Sequence, residues 1–266
     1  MEQLAKADKI IKDNILINSD YKSGIINQSG HLGYAANNGY TIDMWQVQGS
    51  GAITIKDRIE NESGKIVVFW KNNNIDGEAR FRQIVTKNKK GTFTFSIYIV
   101  TCTEDVKMYI MDDDGNIYSK KIKKGLNNMV FCGKIKEVGL LTSELSGSCY
   151  IDFMKLEEGK IYTGMPLWDC AIETLKCKRY FQVINHRIIL PQFYMNQYVG
   201  FSLETEMENI PTVKNIQLLD TSDTSITLSG GISMTNGKHV DKVWTPTTYT
   251  KPFVIISKAV FDGYNY

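Results

Sequence analysis

The sequence predicts an all-β protein: a jelly-roll β-sandwich, then a short helical linker, then a second, smaller β-sandwich. Three observations carry that prediction. From Ile15 to Leu156 apolar residues alternate or run for strand-like lengths, punctuated by Gly, Asn and Asp, which is the pattern of short antiparallel strands. Around Ala171, Leu175 and Lys178 the spacing turns helical. Beyond Phe181 short strand-like runs resume to the C-terminus. With 266 residues, 42% apolar and 23% charged, the chain has material for one large or two ordinary packed cores.

Taken in order, residues 1–13 place Leu4, Ala7 and Ile11 at three- and four-residue spacing, which predicts a short amphipathic helix. It reads either as the end of a longer coiled coil or as a helix packed on the first domain, being too short to stand alone. The same stretch carries Glu2, Lys6, Asp8, Lys9 and Lys12 and no apolar h-region, so it does not read as a secretory signal. Residues 14–164 form the expected jelly roll. Its strands read as Ile42–Val47, Ala52–Ile55, Lys65–Trp70, Ala79–Val85, Thr92–Thr101 and Val106–Met111, with Tyr150–Leu156 closing the unit. Asp114-Gly115 predicts a tight hairpin between Val106–Met111 and Asn116–Ile122. Residues 165–183 form the linker, whose helix runs from about Leu167 to Tyr180 with Asp169 as N-cap. Residues 184–266 form the second sandwich, through Arg187–Leu190, Tyr198–Met207, Val213–Leu219, Ser225–Leu228, Ile232–Met234 and Phe253–Phe261. Gly230-Gly231 reads as a tight turn, and oligomerisation would protect the edges of so small a sheet.

Composition and motifs exclude several classes of function. Thirty-one basic against 29 acidic residues leave a net charge of +2, without the clustered cationic excess that phosphate backbones require. Lys120, Lys121, Lys123 and Lys124 read as a solvated turn. No apolar run is long enough to span a bilayer as a helix. Cys102, Cys132, Cys149, Cys170 and Cys177 are odd in number and lack CxxC spacing, so free thiols fit better than a disulfide frame. His31, His186 and His239 are scattered without a metal-ligating spacing. Asp112, Asp113 and Asp114 fail the calcium-loop pattern because Ile117 falls where Gly is required, and they read as a hairpin tip. No nucleophile elbow, phosphate loop or dinucleotide fingerprint occurs, so no enzyme is expected. A glycosidase carboxylate pair is not identifiable among the many Asp and Glu.

Aromatic residues say more. Tyr34, Tyr40, Trp45, Trp70, Phe81, Tyr98 and Tyr109 spread over the first sandwich. Aromatic faces stack on pyranose C–H surfaces while Arg, Asn and Gln bind hydroxyls. Trp45, inside a strand, reads as core. Trp70 ends an apolar strand before Lys71-Asn72-Asn73-Asn74 and reads as a partly exposed platform. Arg80 and Arg82 share one face of a strand, either lining a concave sheet or facing solvent. The candidate carbohydrate-binding set is therefore Trp70, Arg80, Arg82, Tyr34 and Tyr40.

Asn14-Ile15-Leu16-Ile17-Asn18-Ser19-Asp20-Tyr21, Tyr40–Trp45, Phe81-Arg82-Gln83 and Tyr150–Gly159 together resemble the jelly-roll carbohydrate-binding-module-like domain of phage and prophage tail fibres and receptor-binding proteins. Pro166 and Cys177-Lys178-Arg179-Tyr180-Phe181 are similar to the connection and helix ending of that group, and Glu208–Val213 is similar to a strand entry in their terminal domains. The resemblance covers about residues 14–182. It implies a non-enzymatic, homotrimeric adhesin that binds bacterial surface polysaccharide or teichoic acid beside other tail or baseplate proteins. Assembly would take place in the bacterial cytoplasm and the protein would reside in the virion tail, with no nucleic acid bound and no membrane insertion. A glycan depolymerase, a carbohydrate-binding module of a cell-wall-degrading enzyme and a structural fibre spacer are the alternatives. The resemblance implies no cofactor beyond a structural calcium between first and last strands, with Asp152 at the matching position and Phe153 where a second Asp commonly stands. Trp168, Leu175 and Phe181 on the helix are the expected meeting place of subunits.

Overall fold

The computed structural model describes residues 10–27, 34–36, 40–49, 51–57, 65–71, 78–85, 90–103, 105–143, 146–184, 187–194, 197–203, 207, 211–219, 225–226, 231–234, 238–244 and 253–262. The chain divides into two compact units, Met1–Glu173 and Thr174–Tyr266.

The first unit contains twelve strands. In chain order they are β1 (Tyr34–Ala36), β2 (Tyr40–Ile42), β3 (Trp45–Gly49), β4 (Gly51–Asp57), β5 (Lys65–Lys71) and β6 (Ala79–Ile84), followed by β7 (Gly91–Cys102), β8 (Lys107–Asp112), β9 (Ile117–Lys121), β10 (Gly125–Gly133), β11 (Ile135–Thr142) and β12 (Ser146–Glu158). They form two six-stranded sheets, β1-β4-β5-β12-β7-β10 and β2-β3-β6-β11-β8-β9. After β5 the chain crosses repeatedly from one sheet to the other, and the described pairings are antiparallel. This is the jelly roll the alternating pattern predicts. Apolar positions of both sheets interleave between them, as period two requires: Val47, Phe81, Met108, Val138 and Leu140 from one sheet, Phe95, Ile97, Ile99, Met154 and Leu156 from the other, all fully buried.

Trp45 is core, as expected. Its indole stacks on Phe81 at 4.7 Å, Tyr21 closes the cluster at 5.9 Å, and the ring N–H donates to the Asn18 carbonyl at 2.8 Å. Asn14 and Asn18 lock the entering chain to this core. The Asn14 carboxamide donates to the Met154 carbonyl and accepts from the Leu16 and Leu156 amides. Asn18, at φ 54°, donates to the Ile26 and Asp43 carbonyls and accepts from the Ile26 amide. Gln83 pairs both ends of its carboxamide with the Ile17 backbone, at 2.8 and 2.7 Å.

Some expectations change. Ile42–Val47 is not one strand: Asp43 and Met44 form a two-residue turn between β2 and β3, with Met44 at φ 75°. A left-handed methionine is unfavourable, and the buried side chains on both sides hold it there. Residues 10–13 take no helical turn; the Lys12 amide instead donates to Thr163 Oγ1 at 2.9 Å and its ammonium to the Glu158 carbonyl at 2.7 Å. The rest of the expected N-terminal helix lies outside the described residues. The Asp114-Gly115 hairpin is present between β8 and β9, with Gly115 at φ 85°. Asp112 caps it by accepting from Asn116 and Tyr118, and these hydrogen bonds, chiefly that from Asn116, hold its carboxyl below the ordinary range.

The helix α1 (Cys170–Lys178) is shorter than expected and straddles the unit boundary. Asp169 is its N-cap, accepting from the Ile172 amide at 3.0 Å. Glu173 accepts from the Asn18 amide at 2.8 Å. Trp168 precedes the helix and packs on Gly24, where an added Cβ would stand 2.8 Å from its ring.

In the second unit follow β13 (Phe181–Ile184), β14 (Ile188–Tyr194), β15 (Gln197–Ser202), β16 (Thr212–Leu219), β17 (Ser225–Ile226), β18 (Gly231–Met234), β19 (His239–Trp244) and β20 (Phe253–Asp262). They lie on one path, β17-β16-β20-β14-β15-β19-β18, with β13 also on β20. β14 makes the corner. Ile188–Pro191 pairs with β20, and after a register shift Gln192 and Tyr194 pair with β15, so one strand serves both halves of a small sandwich. Leu190, Leu203, Leu218, Val240, Val243, Ile256 and Phe261 form its core. Gly230, Thr227 and Leu228 lie outside the described residues.

Candidate functional site

Alternation along β6 sends Ala79, Phe81 and Gln83 into the sandwich, so Arg80, Arg82 and Ile84 must take the outer face. The register carries that face across the sheet. Gln46, Arg82, Gly139, Tyr109 and Ser119 form one row through β3, β6, β11, β8 and β9, and Gln48, Arg80, Leu141, Lys107 and Lys121 form the next. Glu137 stands in the row beyond, opposite Ile84 and Met111.

Charged and polar groups meet at the centre of this face. Arg82 forms a salt bridge with Glu137 and donates to Gln46 Oε1 at 3.2 Å. The Tyr109 hydroxyl donates to the other Glu137 oxygen at 2.9 Å, and the Arg80 guanidinium lies 4.0 Å from that oxygen and 5.9 Å from the Tyr109 ring centre. Arg80 also reaches Glu78 at 3.4 Å. Glu137 and Tyr109 are fully buried, and Gln46 and Arg82 nearly so. Burial pushes the Tyr109 hydroxyl well above its ordinary pKa, and the Glu137 charge adds to that, so Tyr109 acts as a donor. Gly139 lies between Arg82 and Tyr109 because nothing larger fits: an added Cβ would stand 1.9 Å from the Phe81 carbonyl oxygen.

One edge of the array is left unsatisfied. The side-chain oxygen of Gln48 and Nε of Arg80 are buried and find no hydrogen-bond partner among the described residues. The two residues are register partners on adjacent strands. A buried acceptor and a buried donor without partners are each costly to leave unmatched.

Of the residues expected from sequence, the structure brings Arg80 and Arg82 together on this face. Tyr40 lies opposite Gln46 in the register, at the end of the Arg82 row; its side chain lies outside the described residues. Trp70 and Tyr34 belong to the other sheet, on β5 opposite Ser146 and on β1 opposite Thr54, and their side chains also lie outside the described residues. Gln46, Gln48, Tyr109 and Glu137 were not anticipated. Two of them had a signal: Gln46 and Gln48 are spaced by two, as Arg80 and Arg82 are.

No family model matches the chain, and no curated protein does. Solved structures do resemble it. TmCBM61 in complex with β-1,4-galactotriose matches at 17% identity and TM-score 0.33, over 55% of this chain and 99% of that one. A family 11 carbohydrate-binding module from Clostridium thermocellum, in complex with a β-1,3-1,4-mixed-linked tetrasaccharide, matches at 13% and 0.30, over 48% and 97%. The CBM22-1 xylan-binding domain from Paenibacillus barcinonensis Xyn10C matches at 10% and 0.33, over 57% and 97%. The jelly roll itself is read from this chain's own strand pairing.

Asp152 is the extra residue of a β-bulge, where the β12–β7 pairing passes from Ile151 to Phe153, and its carbonyl accepts from the Lys22 amide at 2.8 Å. Phe153 stacks on Tyr162 at 5.7 Å instead of supplying an oxygen. Among the described residues no group of three His, Cys, Asp or Glu side chains stands together. His31 and His186 lie outside the described residues, as does the side chain of His239.

Proposed function

We propose that the first unit binds a saccharide without catalysis on the outer face of the β2-β3-β6-β11-β8-β9 sheet. The unpaired Gln48 acceptor and Arg80 donor carry this reading: both atoms are shielded from solvent, so a saccharide reaches them by displacing the side chains that cover them. A pyranose offers hydroxyls that both donate and accept, so one ring edge answers both groups. The Tyr109 and Arg80 pairing supplies a polarised floor beside them. Non-catalytic binding is supported by Glu137: both its oxygens are committed to Arg82 and Tyr109, leaving no carboxylate of that residue to move a proton or attack an anomeric carbon.

The test is affinity electrophoresis and calorimetry of the purified chain against soluble bacterial and plant polysaccharides. Gln48→Ala and Arg80→Ala should each weaken binding by about tenfold or more, about 1.4 kcal/mol, with an unchanged circular dichroism spectrum. Binding that survives both substitutions, or no retention on any polysaccharide, would overturn the proposal.

Within that reading, we place the chain in a phage or phage-like tail as a homotrimeric receptor-binding protein, with bacterial surface polysaccharide or teichoic acid as its partner. The resemblance along residues 14–182 supports this. Light scattering after size exclusion should give three times the 30.2 kDa chain mass; a strict monomer would remove the tail assignment while leaving saccharide binding to its own test.

A further inference from the structure

Five cysteines are free, and two of them face each other. Cys149 of β12 pairs in register with Cys102 of β7. The pairing next passes from Tyr150–Thr101 to Ile151–Ile99, so Val100 is an extra residue. That bulge reverses the alternation of β7 and turns Cys102 to the side of Cys149. The Thr103 amide donates to the Ser148 carbonyl at 2.9 Å, which makes Thr103–Ser148 the hydrogen-bonded pair and Cys102–Cys149 its non-hydrogen-bonded neighbour. Such pairs hold their Cα atoms about 4.5 Å apart, inside the range of about 4.4–6.8 Å that a disulfide spans.

We propose that Cys102 and Cys149 are an oxidisable dithiol that peroxides close into a cross-strand disulfide. The Cys102 thiol donates to the Ile122 carbonyl at 3.8 Å, and the neighbouring Cys149 thiol lowers the Cys102 pKa to about 7. Cys102 is half-buried and reaches solvent, whereas Cys149 is fully buried and its thiol is pushed well above the ordinary range, chiefly by burial. The roles divide accordingly. The Cys102 thiolate attacks one peroxide oxygen; the S–O bond forms, the O–O bond breaks, and the departing hydroxide takes a proton to become water. Cys149 then attacks the sulfenic sulfur; the S–S bond forms, the S–O bond breaks, and the second hydroxide leaves as water with the Cys149 proton. Two thiols are oxidised and one peroxide is reduced to two waters. The loop so closed contains β8, β9, β10 and β11, and with them Tyr109 and Glu137.

The experiment uses the full chain carrying Cys132→Ser and Cys170→Ser, which removes the two exposed thiols as sources of intermolecular linkage. Hydrogen peroxide in modest excess should lower the intact mass by about 2 Da, remove two alkylatable thiols, and yield a Cys102–Cys149 cross-linked peptide that dithiothreitol releases. Adding Cys149→Ala should instead trap one oxygen, about 16 Da, on Cys102. A chain that keeps all its thiols under peroxide, or that oxidises Cys102 further while Cys149 stays alkylatable, would refute the dithiol.

Discussion

Replacing Glu137 by Ala tests whether the polar array on the outer face is one interdependent unit. The carboxylate is fully buried and serves Arg82 and Tyr109 directly, with Arg80 close by. Its removal leaves the Arg82 guanidinium, whose side chain is 9% exposed, as an uncompensated charge out of water. Breaking a buried pair this way costs about 3–5 kcal/mol. The lost Tyr109 hydrogen bond falls within that figure, because contacting groups are not additive. At roughly 2–4 °C per kcal/mol for a unit of this size, Tm should fall by about 6–20 °C. The double variant Arg82→Met with Glu137→Leu removes both charges and keeps the volume, so it should return to within about 2 kcal/mol of the parent. Urea unfolding followed by circular dichroism, with calorimetric Tm, compares the parent, the single and the double variants. If Glu137→Ala lies within about 1 kcal/mol of the parent, or the double variant is worse than the single, Arg82 is solvated and the array is not the buried unit described.

Three shorter predictions follow from individual contacts. Gly139→Ala drives a methyl into the Phe81 carbonyl and should destabilise the first unit by at least about 3 kcal/mol; a parent-like Tm would refute the close backbone approach. Asp169→Ala removes the cap from the Ile172 amide and should destabilise α1 by about 0.5–2 kcal/mol, read as faster hydrogen exchange at Ile172 and Glu173. Alkylation of Cys102 by iodoacetamide should show a midpoint at about pH 7. Cys149→Ala removes the neighbour that favours the Cys102 thiolate, so the midpoint should rise and alkylation at neutral pH should slow; a midpoint that stays put would assign the shift elsewhere.

Sequence reasoning reached the fold because period two and turn chemistry are local. Asp114-Gly115, Asp169 and Trp45 each do what their residue type implies. Where it failed, distant packing had overruled a local preference. Met44 carries a left-handed φ that no propensity assigns to methionine, and the helical spacing before Asp13 gave way at residues 10–13, where Lys12 bonds to Glu158 and Thr163 far along the chain. β10, β11 and β19 went unanticipated. With β11 unseen, Glu137 was one acid among many, and nothing marked it as the group that joins Arg82 to Tyr109. Arg80 and Arg82 were legible as a same-face pair, but which sheet they shared with which aromatics depends on strand order. That order separates Trp70 from them.

Most residues that carry the resemblance are scaffold residues, with Arg82 an exception on the outer face. Asn14 and Asn18 bind backbone, Tyr21 and Trp45 fill the core, Gln83 clamps Ile17, and Asp152 forms a bulge. Each points inward or along the chain, and none belongs to the unsatisfied edge at Gln48 and Arg80. Core packing therefore constrains one parity of each strand and leaves the other parity to the outer face. Along β6 the two demands alternate residue by residue: Phe81 and Gln83 answer to the core, Arg80 and Arg82 to the outer face. The inward set accounts for the fold, and the outward set builds the array at Arg80, Arg82 and Glu137.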